Sequence, residues 1–98
     1  MSWAFHPIAA AEYLGACRHY RAIDPILGRG FVRSFTEAMT AIISHPQAWN
    51  PLDRNIRRLL MKRFPYGIHF TIESGQILVL SVTHMRQKPG NLRKRLPQ

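Results

Sequence analysis

The spacing of apolar residues changes about halfway along this 98-residue chain, and this change limits the possible folds more than any single motif does. In the first half, apolar residues recur at intervals of three and four, which is the period of an amphipathic helix. In the second half, the period becomes that of strands around a Ser74-Gly75 pair, which is typical of a β-hairpin. The sequence therefore predicts an α+β fold in which helices precede strands.

Two helices are predicted in the first half of the chain. The first follows His6 and runs through IAAAEYLGACRHYRAI. The second starts at Asp24, which would cap its first turn, runs through ILGRGFVRSFTEAMTAII and ends at Ser44. Because the link between them is short, the helices are expected to be antiparallel neighbours with one shared apolar side.

Three antiparallel strands are predicted in the second half: the segment IRRLLMKRF and the two halves of the hairpin PYGIHFTIESGQILVLSVTH. A two-residue turn at Ser74-Gly75 would fix which residues face each other on the side that packs against the helices. The expected pairs are Ile72 with Ile77, Phe70 with Val79, Ile68 with Ser81, and Tyr66 with Thr83.

The opposite side of this hairpin is predicted to be a mixed surface, suited to a shallow groove or to a partner. A register slip of one residue would exchange the two sides. The residues expected there are His69, Thr71, Leu78, Leu80, Val82 and His84.

Positive charge is concentrated in the second half of the chain. The net charge is +9; residues 1–53 carry equal numbers of basic and acidic side chains, whereas residues 54–98 carry ten cations and a single acid, Glu73. Such a one-sided positive field attracts RNA, DNA, the ribosome or an acidic protein. A merely solubilising surface is the alternative, although ordinary surfaces interleave both signs of charge.

A single domain is expected to span residues 1–98, because a chain of this length supports one core. Residues 86–98 would be its basic C-terminal arm, either loose or folded as a short helix from Gly90 to Leu96. The only cysteine, Cys17, fits a reducing, cytoplasmic setting, and no apolar run approaches the ~20 residues of a membrane span.

No metal site or cofactor is predicted. The five histidines lack the spacing of a zinc motif, and the lone cysteine has no thiolate partner. No glycine-flanked nucleophile, carboxylate pair or phosphate-binding glycine loop is present either. The basic, histidine and tyrosine side chains of the strands could instead cleave RNA without a metal, by moving protons and stabilising the phosphate. Equally, the arginines could be solvated strand residues and Tyr66 a core residue.

The order helix, helix, three-stranded meander, with RRLLMKRFPYGIHF and ILVLSVTHMRQKP at these places, resembles the RelE/ParE family of toxins from bacterial toxin–antitoxin pairs. In that family an arginine pair leads into a strand, an RFPY junction opens the next strand, and a late His-Arg-Pro pattern closes the last. The resemblance extends from about HPIAAAEYL to KPG. In this chain Arg86 stands one position from the usual place, and Asn91-Leu92 replaces a common aromatic pair.

The resemblance implies a helical hairpin packed on the small antiparallel sheet, with a short N-terminal strand at residues 3–5 added to it. It also implies the toxin of a type II (plasmid-stabilisation) module, which acts in the cytoplasm without a cofactor. A cognate antitoxin would neutralise it in a hetero-oligomer.

Two targets are consistent with the resemblance, since the RelE branch cuts mRNA on the ribosome and the ParE branch inhibits DNA gyrase. We favour mRNA cleavage, because the cations concentrate on the strands; gyrase inhibition is the alternative, and a non-catalytic nucleic-acid-binding module is a third. Cleavage would use His84 and Tyr66 as acid and base, with Arg58 and Arg86 on the phosphate. The residues expected to bind the target are Arg57, Lys62, Arg63, Lys88, Arg93, Lys94 and Arg95.

Overall fold

Two helices and four strands form in the predicted order, and the N-terminal strand is among them. The structure, a computed structural model, describes residues 1–97. In chain order the elements are β1 (Ser2–Phe5), α1 (Pro7–Ile23), α2 (Pro25–Ser44), β2 (Ile56–Leu60), β3 (Tyr66–Glu73) and β4 (Gln76–His84), with short 3₁₀ helices at Pro46–Ala48 and Leu92–Arg95. The last of these falls within the range predicted for a C-terminal helix.

The four strands form one sheet in the order β1-β4-β3-β2. β2, β3 and β4 are the predicted antiparallel meander. β1 lies on the far side of β4 and runs parallel to it, so the sheet is mixed rather than wholly antiparallel. The meander therefore has one edge at β2 and is extended at the other edge by the start of the chain.

The two helices meet at a single linking residue, Asp24. Its carboxylate accepts a hydrogen bond from the backbone N–H of Ile26 at 2.7 Å, and its own N–H donates to the carbonyl of Tyr20 at 3.0 Å. One residue thus closes the end of α1 and caps the start of α2. The helices approach closely here, because a Cβ atom on Gly28 would lie 3.0 Å from the Cα of Arg21.

The main core lies between the helical hairpin and one face of the sheet. Helix α2 contributes a stripe at helical spacing, in which Phe31 and Ile42 have no exposed surface and Phe35 is 4% exposed. Aromatic side chains of α1 and β1 pack around this stripe. The sheet contributes Leu59, Ile68, Phe70, Ile77, Val79 and Val82.

The β3–β4 hairpin follows the predicted register only near its turn. Ile72 pairs with Ile77 and Phe70 with Val79, as predicted. Beyond these pairs the register shifts by one residue, because β4 carries a β-bulge at Leu80. A bulge places two residues of one strand opposite one residue of the other, so every later residue of β4 changes partner and side.

The rest of the hairpin therefore pairs differently from the prediction. The predicted pairing of Ile68 with Ser81 and of Tyr66 with Thr83 is wrong. Val82, expected on the outer face, instead joins the core against the helices and is 1% exposed. The observed pairs are His69 with Ser81, Ile68 with Val82, Gly67 with Thr83, and Tyr66 with His84.

Within residues 1–97, no helix is both long enough and apolar enough to cross a membrane.

The contact between the helices leads to a prediction for two glycines. Gly28→Ala should destabilise the fold by about 1–3 kcal/mol, because the new methyl group meets the backbone of Arg21 in a packed hairpin. Gly15 lies in α1 with no atom within 4 Å of a built Cβ, so Gly15→Ala should stabilise by up to about 1 kcal/mol through helix propensity. Urea unfolding followed by circular dichroism measures both changes, and equal effects at the two positions would contradict the assigned helix contact.

Candidate functional site

The C-terminal segment crosses the outer face of the sheet, the face turned away from the helices. We call residues 86–97 the C-terminal strap. At the β2 side of the sheet, the guanidinium of Arg93 binds both carboxylate oxygens of Asp53, at 2.7 and 3.1 Å. At the far edge, Nη1 of Arg95 donates to the carbonyl of Leu80 at 2.8 Å and to Glu12 at 3.3 Å. The strap is therefore fastened on both sides of the sheet.

The fastening at Arg95 also completes the edge of β4. β1 has only four residues, so the later part of β4 has no neighbouring strand on that side. Glu12 of α1 accepts a hydrogen bond from the backbone N–H of Val82 at 3.1 Å, and Arg95 satisfies the Leu80 carbonyl beside it. These side chains replace the missing strand and leave no unpaired donor at Val82.

Most of the outer face beneath the strap is buried, whereas the sequence predicts a shallow groove or a surface for a partner; a groove of about 390 Å³ remains between the strap and the face, lined in part by His69 and Ile56. The expected membership was also partly wrong, because the bulge moves His84 and Val82 to the helix side. The polar side chains buried on the outer face are His69 (7% exposed), Thr71 (1%), Ser81 (0%) and Thr83 (8%). The face is thus a polar layer covered by the protein's own C-terminal segment.

His69 lies within this polar layer. Its pKa is lowered to about 4, chiefly by burial and also by the nearby guanidinium groups of Arg58 and Arg95. Its Nδ1 atom is buried and finds no hydrogen-bond partner among residues 1–97. The ring therefore stays neutral at physiological pH and is held by packing.

The residues proposed for acid–base catalysis lie on the helix side of the sheet. The rings of Tyr66 and His84 pack edge to face, with centroids 5.4 Å apart. Tyr66 also packs against Tyr20 and Phe31. Burial raises the pKa of Tyr66, and neighbouring Tyr20 raises it further. Its hydroxyl is therefore a poor base near neutral pH.

Arg58, proposed to bind the phosphate, lies on the opposite face from this pair. It shares its sheet position with His69, and its Cγ and Cδ lie 3.7 and 3.5 Å from the place where a Cβ of Gly67 would be. The absent side chain at Gly67 leaves room for Arg58 to lie along the outer face. The sheet itself separates this guanidinium from Tyr66 and His84.

The side chain of Arg57 is held by contacts within the protein and is not open to a target. It lies on the helix side, where its Nη1 donates to the carbonyl of Trp49 at 2.6 Å. Its Nε is buried and has no partner among the residues described. Arg57 holds the loop before β2 against the sheet, beside the contact between Trp49 and Phe70.

Four exposed cations converge at one end of the sheet, and we call them the basic rim. The loop after β2 and the segment after β4 meet there, because the N–H of Met85 donates to the carbonyl of Pro65 at 2.7 Å. Arg86 also donates its backbone N–H to Nδ1 of His84 at 3.1 Å, so the rim lies directly beside the pair Tyr66 and His84. The members of the basic rim are Lys62, Arg63, Arg86 and Lys88.

The strap holds the remaining predicted target-binding residues. Lys94 is exposed, whereas Arg93 and Arg95 pair with acids of the protein itself. Sequence reasoning assigned no role to Glu12 or Asp53, the two partners. The available signal was weak: Glu12 is a single acid within an apolar helical run, and Asp53 directly precedes the basic half of the chain.

Across residues 1–97, no group of three or more histidine, cysteine or acidic residues is arranged to hold a metal ion.

A family model and a solved structure match this chain. Residues 4–89 match the family model described as the ParE toxin of the type II toxin–antitoxin system parDE. A chain from a solved structure of a chromosomal ParDE toxin–antitoxin system of P. aeruginosa matches this fold with a TM-score of 0.72 and 22% sequence identity. The match covers 86% of this chain and 95% of that chain. A search of curated proteins finds no match.

The neutral state of His69 predicts a pH-dependent stability. Its pKa is about 4 in the fold and 6.5 in an unfolded chain, so the unfolded state binds more protons between these values. Stability should therefore fall as the pH drops from 6.5 towards 4, by on the order of 2 kcal/mol from this group. Urea titrations at several pH values measure how the free energy of unfolding depends on pH. This dependence should be weaker in His69→Gln than in the parent chain and unchanged in the exposed His19→Gln. An unchanged pH dependence in His69→Gln would contradict the assignment.

The two strap contacts should differ in strength. The Arg95 side chain is 12% exposed, and Arg95→Ala leaves the Leu80 carbonyl and Glu12 without this donor, at a cost of about 1–3 kcal/mol. Arg93→Ala breaks a solvent-exposed pair and should change stability less. Hydrogen exchange should show faster exchange at Ser81 and Thr83 in Arg95→Ala than in Arg93→Ala, and the reverse order would count against the strap contacts described.

Proposed function

Because the chain belongs to the ParE toxin family of type II toxin–antitoxin systems, we propose that it arrests bacterial growth by inhibiting DNA gyrase. It would act in the cytoplasm, and a cognate antitoxin would neutralise it in a hetero-oligomer. The observation that carries the choice of target is the position of the candidate catalytic residues on two different faces of the sheet.

Cleaving RNA without a metal requires an acid, a base and a phosphate-binding cation around one phosphate. Tyr66 and His84 lie on the helix side, whereas Arg58 lies on the outer face beneath the strap. The pair and Arg58 therefore approach a ligand from opposite faces of the sheet. The arrangement favours gyrase inhibition, the target that the resemblance implies for the ParE branch.

The basic rim supplies exposed positive charge that could bind gyrase. Lys62, Arg63, Arg86 and Lys88 are free of acidic partners among residues 1–97 and lie at one end of the sheet. Such a cluster suits an acidic protein surface or the DNA held by a gyrase complex. Inhibition by binding needs this surface but no proton transfer.

Ribosome-dependent mRNA cleavage is the second candidate. One observation favours it: the rings of Tyr66 and His84 are 5.4 Å apart, beside Arg86 of the basic rim. In this alternative Arg86 replaces Arg58 as the phosphate-binding residue. A non-catalytic nucleic-acid-binding module, the third hypothesis, predicts that expression leaves growth unaffected.

The double variant Tyr66→Phe, His84→Asn separates the two candidate targets. It removes the phenol of Tyr66 and the imidazole of His84, while Phe keeps the packing and Asn offers an oxygen in place of the imidazole Nδ1. We expect the variant to arrest growth like the parent chain and to inhibit supercoiling by purified gyrase within about twofold, because binding does not depend on an acid or a base.

Cells in which expression of the chain is induced should filament and switch on the DNA-damage response, and their mRNA should stay uncut. Loss of toxicity in the double variant, together with cut mRNA ends in cells making the parent chain, would support cleavage instead. A variant in which all four cations of the basic rim are replaced by glutamate provides the matched test of binding. Unchanged gyrase inhibition in that variant would exclude the rim as the contact surface.

A further inference from the structure

The turn between β2 and β3 holds Arg63 in a backbone conformation that is unfavourable for arginine. Its φ angle is 71°, in the left-handed region. A Cβ atom crowds the following carbonyl oxygen there, so glycine is the residue that adopts this conformation without strain. In residues 1–97, the other non-glycine residues with positive φ are Arg54 and Ser74. The two-residue hairpin turn accounts for Ser74, because such a turn requires positive φ.

The residues on both sides of Arg63 are fixed by the core. Phe64 is 9% exposed and packs edge to face against Phe31, at a centroid distance of 5.3 Å. On the other side, the buried hydroxyl of Ser34 on α2 donates to the carbonyl of Lys62 at 2.5 Å. A strained residue persists only where the surrounding structure holds it, and these two contacts hold Arg63.

The side chain of Arg63, by contrast, contributes no ion pair to the fold. It is exposed, and no acid among residues 1–97 pairs with it. Glycine would satisfy the turn with less strain, so the requirements of the fold do not explain an arginine here. Strained residues of this kind cluster at functional sites, where the strain fixes the direction of a side chain. The guanidinium is therefore presented outward on a rigid turn.

Exposed apolar side chains adjoin the basic rim and indicate which kind of ligand it meets. Leu60 is 53% exposed and Met85 is 43% exposed. Leu60 pairs with Gly67, and Sδ of Met85 lies 3.3 Å from the place where a Cβ of Gly67 would be. Surfaces that bind nucleic acid are dominated by polar and charged groups. Arginine beside methionine and aliphatic residues is typical of contacts between proteins, in which arginine is a frequent hot spot.

We propose that Arg63 is the residue of the basic rim that anchors the chain on an acidic protein surface of gyrase, by a bidentate hydrogen bond to a carboxylate. The proposal rests on gyrase inhibition as the proposed function. It adds that one of the four cations dominates the contact and that the ligand is protein rather than DNA. A turn that is already rigid loses little conformational entropy on binding, which favours Arg63 over the other three cations.

Arg63→Gly tests this role, because it removes the guanidinium and also relieves the backbone strain. We expect inhibition of supercoiling by purified gyrase to weaken at least about tenfold. The melting temperature should rise, by about 4 °C. A gain in stability combined with a loss of inhibition is a result that a merely structural arginine does not give. Inhibition equal to that of the parent chain would overturn the proposal.

Arg54→Gly is the matched control. Arg54 is also an exposed arginine with positive φ, at 51°, and lies before β2, away from the basic rim. This variant loses the same charge and the same kind of strain, so its melting temperature should rise while its inhibition stays within about twofold of the parent. An equal loss of inhibition in both variants would show that net charge alone matters and would overturn the role of Arg63.

Arg63→Lys separates the guanidinium from its charge. Lysine keeps the charge but cannot form the bidentate bond, so inhibition should weaken by about threefold or more. Inhibition equal to that of the parent chain would refute the bidentate contact.

Isothermal titration calorimetry distinguishes the two ligands. The parent chain should bind gyrase without DNA, and Arg63→Gly should bind it at least about tenfold more weakly. Binding to gyrase only when DNA is present, or binding to DNA alone with the same dependence on Arg63, would assign the contact to phosphate and overturn the proposal. A parent chain that does not inhibit gyrase would refute the proposed function and this proposal together. A parent chain that inhibits gyrase no better than Arg63→Gly would refute the role of Arg63 alone.

Discussion

Strand β4 is the element on which the other parts of the molecule assemble. It pairs with β3 along the hairpin and with β1 along its first half, and its edge beyond β1 receives Glu12 and Arg95. Its bulge at Leu80 lies directly after Val79, the last residue of β4 that pairs with β1. Strand pairing on that side ends at Val79, and the side-chain contacts of Glu12 and Arg95 begin beyond it. The same bulge decides which of its later side chains enter the core and which lie beneath the strap.

The helices cover one face of the sheet, and the strap covers the other. A small antiparallel sheet commonly leaves one face to solvent. Here the uncovered face would carry hydroxyls and an imidazole, and the strap buries them with two arginines that bond to backbone and to acids of the same chain. Two of the five cations in residues 86–98, Arg93 and Arg95, thus serve the fold; the other cations of residues 54–98 lie in the basic rim, in or next to β2, and at Lys94.

This division of charge bears on function. The basic rim and the β2 edge are separate surfaces, with Lys62 and Arg63 where they meet. Tyr66, His84 and Arg86 lie together at the basic rim, whereas Arg58 lies on the outer face of the sheet.

The sequence by itself determined the helices, the capping by Asp24, the hairpin turn and the family, because periods, caps and turn residues are local properties of the chain. The N-terminal strand came from the resemblance. Only the tertiary structure decided the register beyond Phe70, the partners of Arg93 and Arg95, and the separation of Arg58 from His84. The physical reason is that a bulge shifts alternation by one residue without a distinct sequence signal, and that ion pairs 40 and 83 residues apart depend on the packed fold.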